Sequence, residues 1–447
     1  MTSSSPTLTD PSGPSWPAPS ASAPVLATVA VPGSKSETNR ALVLAALSDG
    51  PSVITHGLHS RDTALMRDAL RALGVVVTEE GDRWRVTPPP RFSPGATVDC
   101  GLAGTVMRFV PALAVLAGGP VRFVGDEQAA VRPMAPLLDA LTGLGATVST
   151  EGGPVLPFTV DGSAGVRGGR VTLDASTSSQ YVSALLLVGA RFPDGLEVVH
   201  DGPPVPSLPH IAMTVAMLRE RGVSVDDSEP DRWAVAPGAI AARDVVVEPD
   251  LSSAAPFLAA AAVTGGAVTV PHWPASTVQP GDLVRGVLQA FGAEVTWADG
   301  ALTVRGTDQL HGVELDLRAA SELTPVVAAV AALAEGTTTI HGVGHIRGHE
   351  TDRLAALEAE LRALGCTVSQ TADGLAIHPG PLGGALWHTY ADHRMAQAGA
   401  LLGLVVAGVE LDDVTCTTKT MPEFVDLWEQ MLREGGPAGD ATAGATA

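Results

Sequence analysis

Lys35 and Lys419 are the only lysines in this chain of 447 residues, although lysine and arginine together number 27. A lysine ammonium is a compact charge whose pKa falls when it is crowded or desolvated, whereas the guanidinium of arginine stays charged and planar. Both lysines stand among small hydroxyl residues, in the segments GSKS at 33–36 and TTKT at 417–420. This pattern predicts two places at which a lysine binds or transforms an anion.

Six segments of the chain have residues typical of a helix N-terminus that binds an anion. Such N-termini present free backbone N–H groups and the positive end of the helix dipole. Serine and threonine are by default ordinary caps there, but capping does not explain the longer polar side chains in the same turns, which are Lys35, Arg40, Gln180 and Arg394. If the six N-termini converge, they form a cradle for a polyanionic small molecule. The segments are GSKSETNR from 33, GLAGTVMR from 101, STSSQ from 176, DLSS from 250, ASELT from 320 and DHRM from 392.

These segments recur with a period of about seventy residues. Between them, an apolar residue is followed four positions later by glycine, which is typical of an amphipathic helix that ends before a strand. A second series of short helices, apolar on nearly all sides and therefore expected to be buried, ends near glycines 50, 118, 189, 265, 336 and 408. Six units divide naturally as three plus three, so the sequence predicts an α/β fold with two similar domains. The apolar–glycine pairs are Leu70–Gly74, Leu141–Gly145, Leu218–Gly222, Leu288–Gly292, Leu361–Gly365 and Met431–Gly435.

Composition excludes several classes of protein. The net charge of −21 argues against a nucleic-acid partner, so local cations must hold any anionic ligand. The cysteines form no CxxC pair and predict neither a disulfide framework nor a zinc site, which fits a reducing cytoplasm; they are Cys100, Cys366 and Cys416. Three histidines spaced by four residues would align as metal ligands only on a helix, which the glycines between them disfavour; they are His341, His345 and His349. We expect no bound metal.

The two ends of the chain differ from the rest in amino-acid composition. Residues 1–24 are rich in serine, proline and alanine and contain no lysine or arginine, so they lack the basic start of a signal peptide. We expect this tail, and the Gly/Ala/Thr-rich residues 435–447, to be disordered. No apolar run reaches ~18 residues, and we expect no membrane span.

Taken together, six motifs resemble the EPSP synthase family, in family order and over nearly the whole chain between the tails. They are PGSKSETNRAL from 32, GLAGTVMR from 101, STSSQ from 176, GHETDRL from 348, YADHRM from 390 and CTTKTMPEF from 416. The resemblance implies a two-domain inside-out α/β barrel of the enolpyruvyl transferase type, with six βαβαββ-like units arranged three plus three. The first domain would combine residues 25–32 with 248–434, and the second would span 33–247.

The resemblance also implies a set of site residues. Shikimate-3-phosphate would be held by Lys35, Ser36, Arg40, Ser178, Ser179, Gln180, Ser207, Glu322 and His349. Phosphoenolpyruvate would be held by Lys35, Gly104, Arg132, Gln180, Arg353, Arg394 and Lys419. Arginine suits this second set because its guanidinium binds carboxylate and phosphate oxygens through two parallel hydrogen bonds.

The implied reaction is the transfer of the enolpyruvyl group from phosphoenolpyruvate to the 5-hydroxyl of shikimate-3-phosphate, by addition and then elimination of phosphate. It needs a proton donor for one carbon and a base for the hydroxyl, close to cations. Glu350 would be the donor and Glu322 the base, with Lys35 sharing the hydroxyl proton. No cofactor is implied, and we expect a cytoplasmic monomer with no partner other than its small-molecule substrates.

Some positions depart from the family pattern. Glu322 stands where many relatives have aspartate, His349 where many have lysine, and His210 where tyrosine is frequent. Leu102 and Phe109 replace a frequent asparagine and proline. These changes bear on the details of binding and not on the reaction.

Two alternatives remain open from the sequence. The carboxyvinyl transferase that acts on UDP-N-acetylglucosamine shares the inside-out fold, but it opens with a lysine–asparagine pair and carries a reactive loop cysteine. Here Ser36 follows Lys35, and no cysteine lies between Cys100 and Cys366. A non-catalytic anion-binding repeat protein would have no need for Glu322 and Glu350 together with the lysine.

Overall fold

The structure, a computed structural model, describes residues 15–434. The disorder expected for 1–14 and 435–447 lies outside the described residues. The α-helices are α1 Lys35–Leu47, α2 Arg61–Ala72, α3 Gly104–Ala114, α4 Glu127–Ala130, α5 Ala135–Gly143, α6 Gln180–Gly189, α7 Leu208–Arg219, α8 Leu251–Thr264, α9 Val284–Ala290, α10 Thr324–Leu333, α11 Arg353–Leu364, α12 His393–Gly403 and α13 Phe424–Glu434.

The strands are short and numerous. They are β1 Trp16–Pro17, β2 Leu26–Thr28, β3 Ser52–Thr55, β4 Val76–Glu80, β5 Arg83–Thr87, β6 Thr97–Asp99, β7 Pro120–Val124, β8 Thr147–Thr150, β9 Phe158–Asp161, β10 Gly169–Leu173, β11 Leu196–His200, β12 Val225–Asp226, β13 Arg232–Val235, β14 Val245–Val246, β15 Ala267–Pro271, β16 Glu294–Ala298, β17 Ala301–Arg305, β18 Glu314–Asp316, β19 Thr338–His341, β20 Thr367–Gln370, β21 Leu375–His378, β22 Leu386–Trp387 and β23 Glu410–Leu411.

The strands of the described chain form six small sheets, one for each predicted unit. Five sheets have four strands in the same arrangement, a parallel pair followed by an antiparallel hairpin: β14-β3-β5-β4, β6-β7-β9-β8, β10-β11-β13-β12, β2-β15-β17-β16 and β18-β19-β21-β20. The repetition confirms the prediction of six units.

The sixth sheet departs from this plan in the origin of its third strand. Strands β22 and β23 form the parallel pair, and β1 from the other end of the chain pairs antiparallel with β23, Trp16 opposite Leu411. The Ala18 N–H adds a 3.0 Å hydrogen bond to the Val409 carbonyl, and Ala18 is buried. The expectation of disorder for all of residues 1–24 is therefore wrong from residue 15 onward, because this segment fills the place of a missing strand.

The described chain forms two hydrophobic cores. One is built from residues between Ala41 and Val247, and the other from the segment around Val25 together with residues between Leu251 and Met431. Three apolar helices lie at the centre of each core, α1, α3 and α6 in one and α8, α10 and α12 in the other, while the amphipathic helices and the sheets lie outside them. In the apolar–glycine pairs, the glycines at 74, 145, 222, 292 and 365 have the left-handed backbone typical of a glycine that ends a helix, with φ of 92° at Gly74 and 117° at Gly365. Gly435 lies outside the described residues.

The chain passes between the two cores twice, and the two crossovers lie side by side. Gly33 and Pro249 form a β-bridge, and the Asp250 N–H donates to the Pro32 carbonyl at 2.8 Å. These paired segments place the starts of α1 and α8 next to each other. Over residues 15–434, no helix has both the length and the apolar character needed to cross a membrane.

Candidate active site

A cavity of about 420 Å³ lies where the starts of the central helices face each other. Both cores contribute to its wall. The wall residues that the sequence singled out are Lys35, Gly104, Arg132, Ser178, Gln180, Glu322, His349, Glu350, Arg353 and Arg394. Six of the ten carry a formal charge at neutral pH, so the cavity is suited to ligands with charged groups.

Lys35 is the first residue of α1, and Ser34 caps that helix by accepting the Glu37 N–H. The Lys35 ammonium lies 3.6 Å from the carboxylate of Asp62, at the start of α2, and both residues line the cavity. Asp62 is thus an ion-pair partner of Lys35, and the Lys35 side chain remains 19% exposed.

Gly104 begins α3 at a point where the backbone comes close to three polar side chains. A Cβ at this position would lie 3.3 Å from Arg108 Nη1, from Arg132 Nη2 and from Gln180 Oε1. Among the described residues, Arg132 Nε and Gln180 Oε1 have no hydrogen-bond partner although both atoms are buried. Buried polar atoms without partners are costly, so these groups are available for a ligand.

Arg353, at the start of α11, is fixed by two carboxylates. Its Nε and Nη2 donate to the two oxygens of Asp392 at 2.7 and 3.1 Å, and Nη2 also donates to Glu350 at 3.0 Å. Nη1 lies 3.1 Å from Nδ1 of His349. Burial lowers the pKa of Arg353, but Asp392 and Glu350 raise it above the ordinary arginine value. The guanidinium is therefore a fixed positive charge.

Glu350 lies among cations. Its carboxylate contacts the ammonium of Lys419 and the guanidinium of Arg353, and both cationic side chains are at most 7% exposed. Burial raises the pKa of Glu350, but Lys419, Arg353 and Arg132 together hold it well below its usual range. Glu350 is therefore ionised at neutral pH.

Glu322 also lines the cavity and lies on the 3₁₀ helix Arg318–Leu323. Its carboxylate lies 3.5 Å from His210 Nε2 and 3.9 Å from Arg394 Nη2, and it accepts a 3.3 Å hydrogen bond from Ser252. Burial raises the pKa of Glu322, but His210, Arg394 and Lys35 hold it well below its usual range. Glu322 is therefore available as a proton acceptor at neutral pH.

Three histidines of the wall are neutral. Burial lowers the pKa of His345 to about 4 and lowers the pKa values of His349 and His393 well below the usual range, with Arg353 adding to the effect at the first two. His345 Nε2 lies 2.8 Å from the Ser321 hydroxyl. Neutral imidazoles add hydrogen-bonding groups to the cavity without adding charge.

Five residues of the predicted set lie outside the wall of this cavity. Lys419 reaches it only through Glu350, and Ser36 lines a smaller adjoining pocket. Ser179 is the buried residue before α6, and Ser207 lies before α7, where its N–H donates to the Arg318 carbonyl at 3.0 Å.

Arg40 is the fifth of these residues. Its guanidinium turns into the protein and donates to the Thr214 hydroxyl at 2.8 Å and to the His210 carbonyl at 3.0 Å. With 1% of its surface exposed, Arg40 supports the backbone at the start of α7. Binding of substrate by Arg40 stays a prediction.

The cavity also contains residues that the sequence reasoning did not select. Arg108 and His393 lie inside two of the quoted motifs, so their signal was present in GLAGTVMR and DHRM. Asp62 and His345 belong to no segment that predicted a cavity residue. In the part of the chain that the structure describes, no three histidine, cysteine or acidic side chains are arranged to hold a metal ion.

Comparison with known sequences identifies one family. The model of the family described as EPSP synthase (3-phosphoshikimate 1-carboxyvinyltransferase) matches residues 19–428. A curated protein of Mycobacterium ulcerans (strain Agy99) named 3-phosphoshikimate 1-carboxyvinyltransferase is 55% identical over 423 residues, which are 93% of this chain and 97% of that protein.

Comparison with solved structures shows a likeness of fold. EPSP synthase from Acinetobacter baumannii is 24% identical, with a TM-score of 0.77 over 93% of this chain and 97% of that one. The enolpyruvyl transferase NikO from Streptomyces tendae is 18% identical, with a TM-score of 0.71 over 92% and 96% of the two chains. Both neighbours agree with the predicted two-domain inside-out α/β fold.

Proposed function

The chain belongs to the EPSP synthase family, and from that premise we propose how its residues transfer the enolpyruvyl group of phosphoenolpyruvate to shikimate-3-phosphate. The reaction belongs to aromatic amino-acid biosynthesis. One observation carries the assignment of roles: two ionised carboxylates, Glu322 and Glu350, line one cavity, and each is held among cations. An addition–elimination reaction needs two such groups, one for each proton transfer.

Phosphoenolpyruvate would occupy the part of the cavity nearest Glu350. Its carboxylate and phosphate are anions, and the cations there are already in place for them because Asp392 fixes Arg353. The unpartnered Arg132 Nε, which is a donor, and the close backbone approach at Gly104 complete this part of the site. Gln180 would bind the anion through its amide N–H groups, because its oxygen can only accept. The proposed binding set is Lys35, Gly104, Arg132, Gln180, Arg353, Arg394 and Lys419.

Shikimate-3-phosphate would lie towards Glu322 and the start of α6. The Gln180 N–H donates to the Ser178 hydroxyl oxygen at 3.3 Å. This helix start thus presents small polar groups and backbone N–H groups of the kind that bind phosphate. Lys35 lines the same cavity as both sets of residues, and we propose that it contacts both substrates. The proposed set is Lys35, Ser36, Arg40, Ser178, Ser179, Gln180, Ser207, Glu322 and His349.

In the addition step, Glu322 takes the proton of the 5-hydroxyl while the hydroxyl oxygen attacks C2 of phosphoenolpyruvate. Glu350 delivers a proton to C3, and the product is a tetrahedral ketal. In the elimination step the C–O bond to phosphate breaks, the Glu350 carboxylate takes a proton back from C3, and the electrons of that C–H bond form the double bond of the enol ether. Lys35 and the arginines stabilise charge on the phosphate as the C–O bond breaks.

Glu350 must carry a proton to act as the donor, yet the surrounding cations favour its ionised form. Phosphoenolpyruvate resolves this difficulty because its anionic groups compete for the same cations, Lys419, Arg353 and Arg132. Once these cations face the substrate, its negative charge disfavours a second anion beside it and raises the pKa of Glu350. Binding of the substrate thus favours the protonated form of Glu350, which is the form that can donate a proton.

We propose the domain boundaries that the crossovers suggest, with residues 25–32 and 248–434 in the first domain and 33–247 in the second. The interdomain contacts of Ser207 with Arg318 and of His210 with Glu322 support a cleft that closes around its substrates. We further propose a monomer in the cytoplasm, in agreement with three free thiols, of which Cys100 and Cys366 are buried.

The direct test is phosphate release from phosphoenolpyruvate with shikimate-3-phosphate present, absent, or replaced by UDP-N-acetylglucosamine. We expect release only with shikimate-3-phosphate, together with one equivalent of the enolpyruvyl ether by mass spectrometry. Release with the nucleotide sugar alone would assign the chain to the other carboxyvinyl transfer, and no release under any condition would remove the enzymatic assignment.

A further inference from the structure

The first turn of α1 and the second crossover are joined by three hydrogen bonds. The Ser34 N–H donates to the Glu248 carbonyl at 2.7 Å, and the Lys35 N–H donates to the Asp250 carboxylate at 3.1 Å. In the opposite direction, the Glu248 N–H donates to Oε2 of Glu37 at 2.9 Å. The helix turn that carries the lysine is therefore fixed to the segment about which the two domains meet.

Glu37 is the one acidic side chain of this turn, and it faces mostly negative neighbours. Burial raises the pKa of Glu37 to about 7; the Glu248 N–H lowers it, the carboxylates of Glu248 and Glu220 raise it, and Arg221 lowers it slightly. Arg243 engages Glu220 at 3.5 Å. Among the described residues, no arginine or lysine nitrogen forms an ion pair with Glu37. Glu37 thus lies, without an ion pair to an arginine or lysine of the described chain, at the contact between the first turn of α1 and the second crossover, which we call the hinge.

We propose that Glu37 is a positioning residue for the reaction, which sets how tightly the Lys35 turn is held against the second crossover and thereby the affinity of the cleft for phosphoenolpyruvate. Protonated Glu37 still offers an oxygen to the Glu248 N–H and adds no charge to the packed hinge. Ionised Glu37 gains hydration when the hinge loosens, because water then reaches the carboxylate.

The direction of the pH effect on phosphoenolpyruvate binding follows from thermodynamic linkage. The packed hinge binds the Glu37 proton more tightly than the loosened hinge, so the proton and phosphoenolpyruvate favour the same state and must strengthen each other's binding. As the pH rises through the Glu37 pKa of about 7, the hinge loosens and the KM for phosphoenolpyruvate increases. Glu37→Gln fixes the uncharged form and removes this part of the pH dependence.

The experiment measures kcat and the KM for phosphoenolpyruvate in the wild type and in Glu37→Gln, from about pH 5.5 to about pH 8.5. The substrate phosphates titrate equally with both proteins, so the ratio of the two KM values reports Glu37 alone. We expect a ratio near one at the acidic end and a wild-type KM on the order of fivefold higher at the alkaline end. The ratio of kcat values should change less, because the groups that transfer protons are unchanged.

Two further variants separate positioning from a general effect on stability. Glu37→Ala removes the acceptor for the Glu248 N–H and should raise the KM at both ends of the pH range, with rescue only in Glu37→Gln. Glu80→Gln, on the exposed edge of β4, is the matched control and should follow the wild type.

A KM ratio that does not change with pH overturns the inference, whatever happens to the melting temperature, and so does a Glu37→Ala variant that matches the wild type. The inference rests on the proposed function, but the two fail differently. An inactive wild type would refute the function, whereas an active wild type with a constant ratio would refute only the role of Glu37.

Discussion

The carboxylate of Glu350 accepts a 3.0 Å hydrogen bond from Nη2 of Arg353. The same guanidinium is held by Asp392, to which its Nε and the same Nη2 donate at 2.7 and 3.1 Å. A cation fixed so firmly cannot follow Glu350 when the carboxyl takes up a proton. The relationship therefore separates two functions: Asp392 keeps Arg353 in place for the substrate, and Glu350 is free to change its charge.

Glu350→Gln should keep phosphoenolpyruvate binding but abolish proton delivery to C3. We expect kcat to fall by about 1000-fold, within the range lost with a general acid, and the exchange of solvent deuterium into the methylene of phosphoenolpyruvate to cease. Mass spectrometry of recovered substrate measures the exchange, and equilibrium dialysis measures binding. Exchange at the wild-type rate in this variant would assign the donor to another residue.

Lys35→Arg should lower kcat by about 100-fold or more, because the larger guanidinium displaces reacting groups and does not share a proton. The matched variant is Lys419→Arg, which keeps the charge beside Glu350 and should be less harmful. Steady-state kinetics of both proteins test the contrast. If Lys35→Arg is nearly as active as the wild type, the ammonium at the start of α1 has no special role.

Gly104→Ala should separate inhibitor binding from substrate binding. The added methyl group would lie 3.3 Å from Arg132 Nη2 and Gln180 Oε1, closer than most side-chain contacts. Glyphosate, expected in the phosphoenolpyruvate site and longer than that substrate, should lose affinity roughly tenfold or more, and phosphoenolpyruvate much less. The inhibition constant and the KM are measured for both proteins. Equal weakening of the two ligands would mean that the methyl group does not enter the space that distinguishes them.

Stability should fall as the pH drops from about 6.5 to about 5, because His345 and two other cavity histidines are held neutral in the folded protein. Their folded pKa values are lowered, so the unfolded chain binds more protons in this window and each such histidine contributes a slope of about 1.4 kcal/mol per pH unit. His345→Gln should remove the contribution of one histidine to the slope of the free energy of unfolding against pH. Glu37 acts with the opposite sign in both proteins and cancels in the comparison. Urea unfolding over this pH range measures the slopes, and equal slopes would show that His345 is not buried as a neutral group.

The six-unit organisation was predictable because its signals are local. A glycine that ends a helix in a left-handed conformation, as at Gly74 and Gly365, is visible in a window of five residues. The apolar runs of the central helices are equally local. Such local signals can be recognised in the sequence because the glycine is needed to end the helix and the apolar run is needed to bury it.

The orientation of long side chains was not predictable in the same way. Arg40 lies on the same helix as Lys35, yet its guanidinium turns inward to the His210 carbonyl, a partner 170 residues away. Asp62 lines the cavity only because the start of α2 lies beside Lys35. Such placements depend on contacts between distant segments, which no local pattern encodes.

Strand β1 gives a similar case. Two residues in a segment rich in serine and proline carry no periodic signal, and the strand exists because β23 offers an unpaired edge. Trp16 packs against the core of the domain to which β23 belongs.

That pairing also fixes an order of events during synthesis. Residues 15–32 leave the ribosome well before Leu411, but the sheet that accepts Trp16 needs Leu411. Under the boundaries that we propose, the domain of residues 33–247 has all its segments available before then and can fold as a unit while translation continues. Strand β1 must therefore remain unpaired until β23 has been made. This early segment completes its pairing only after a whole domain has had time to fold.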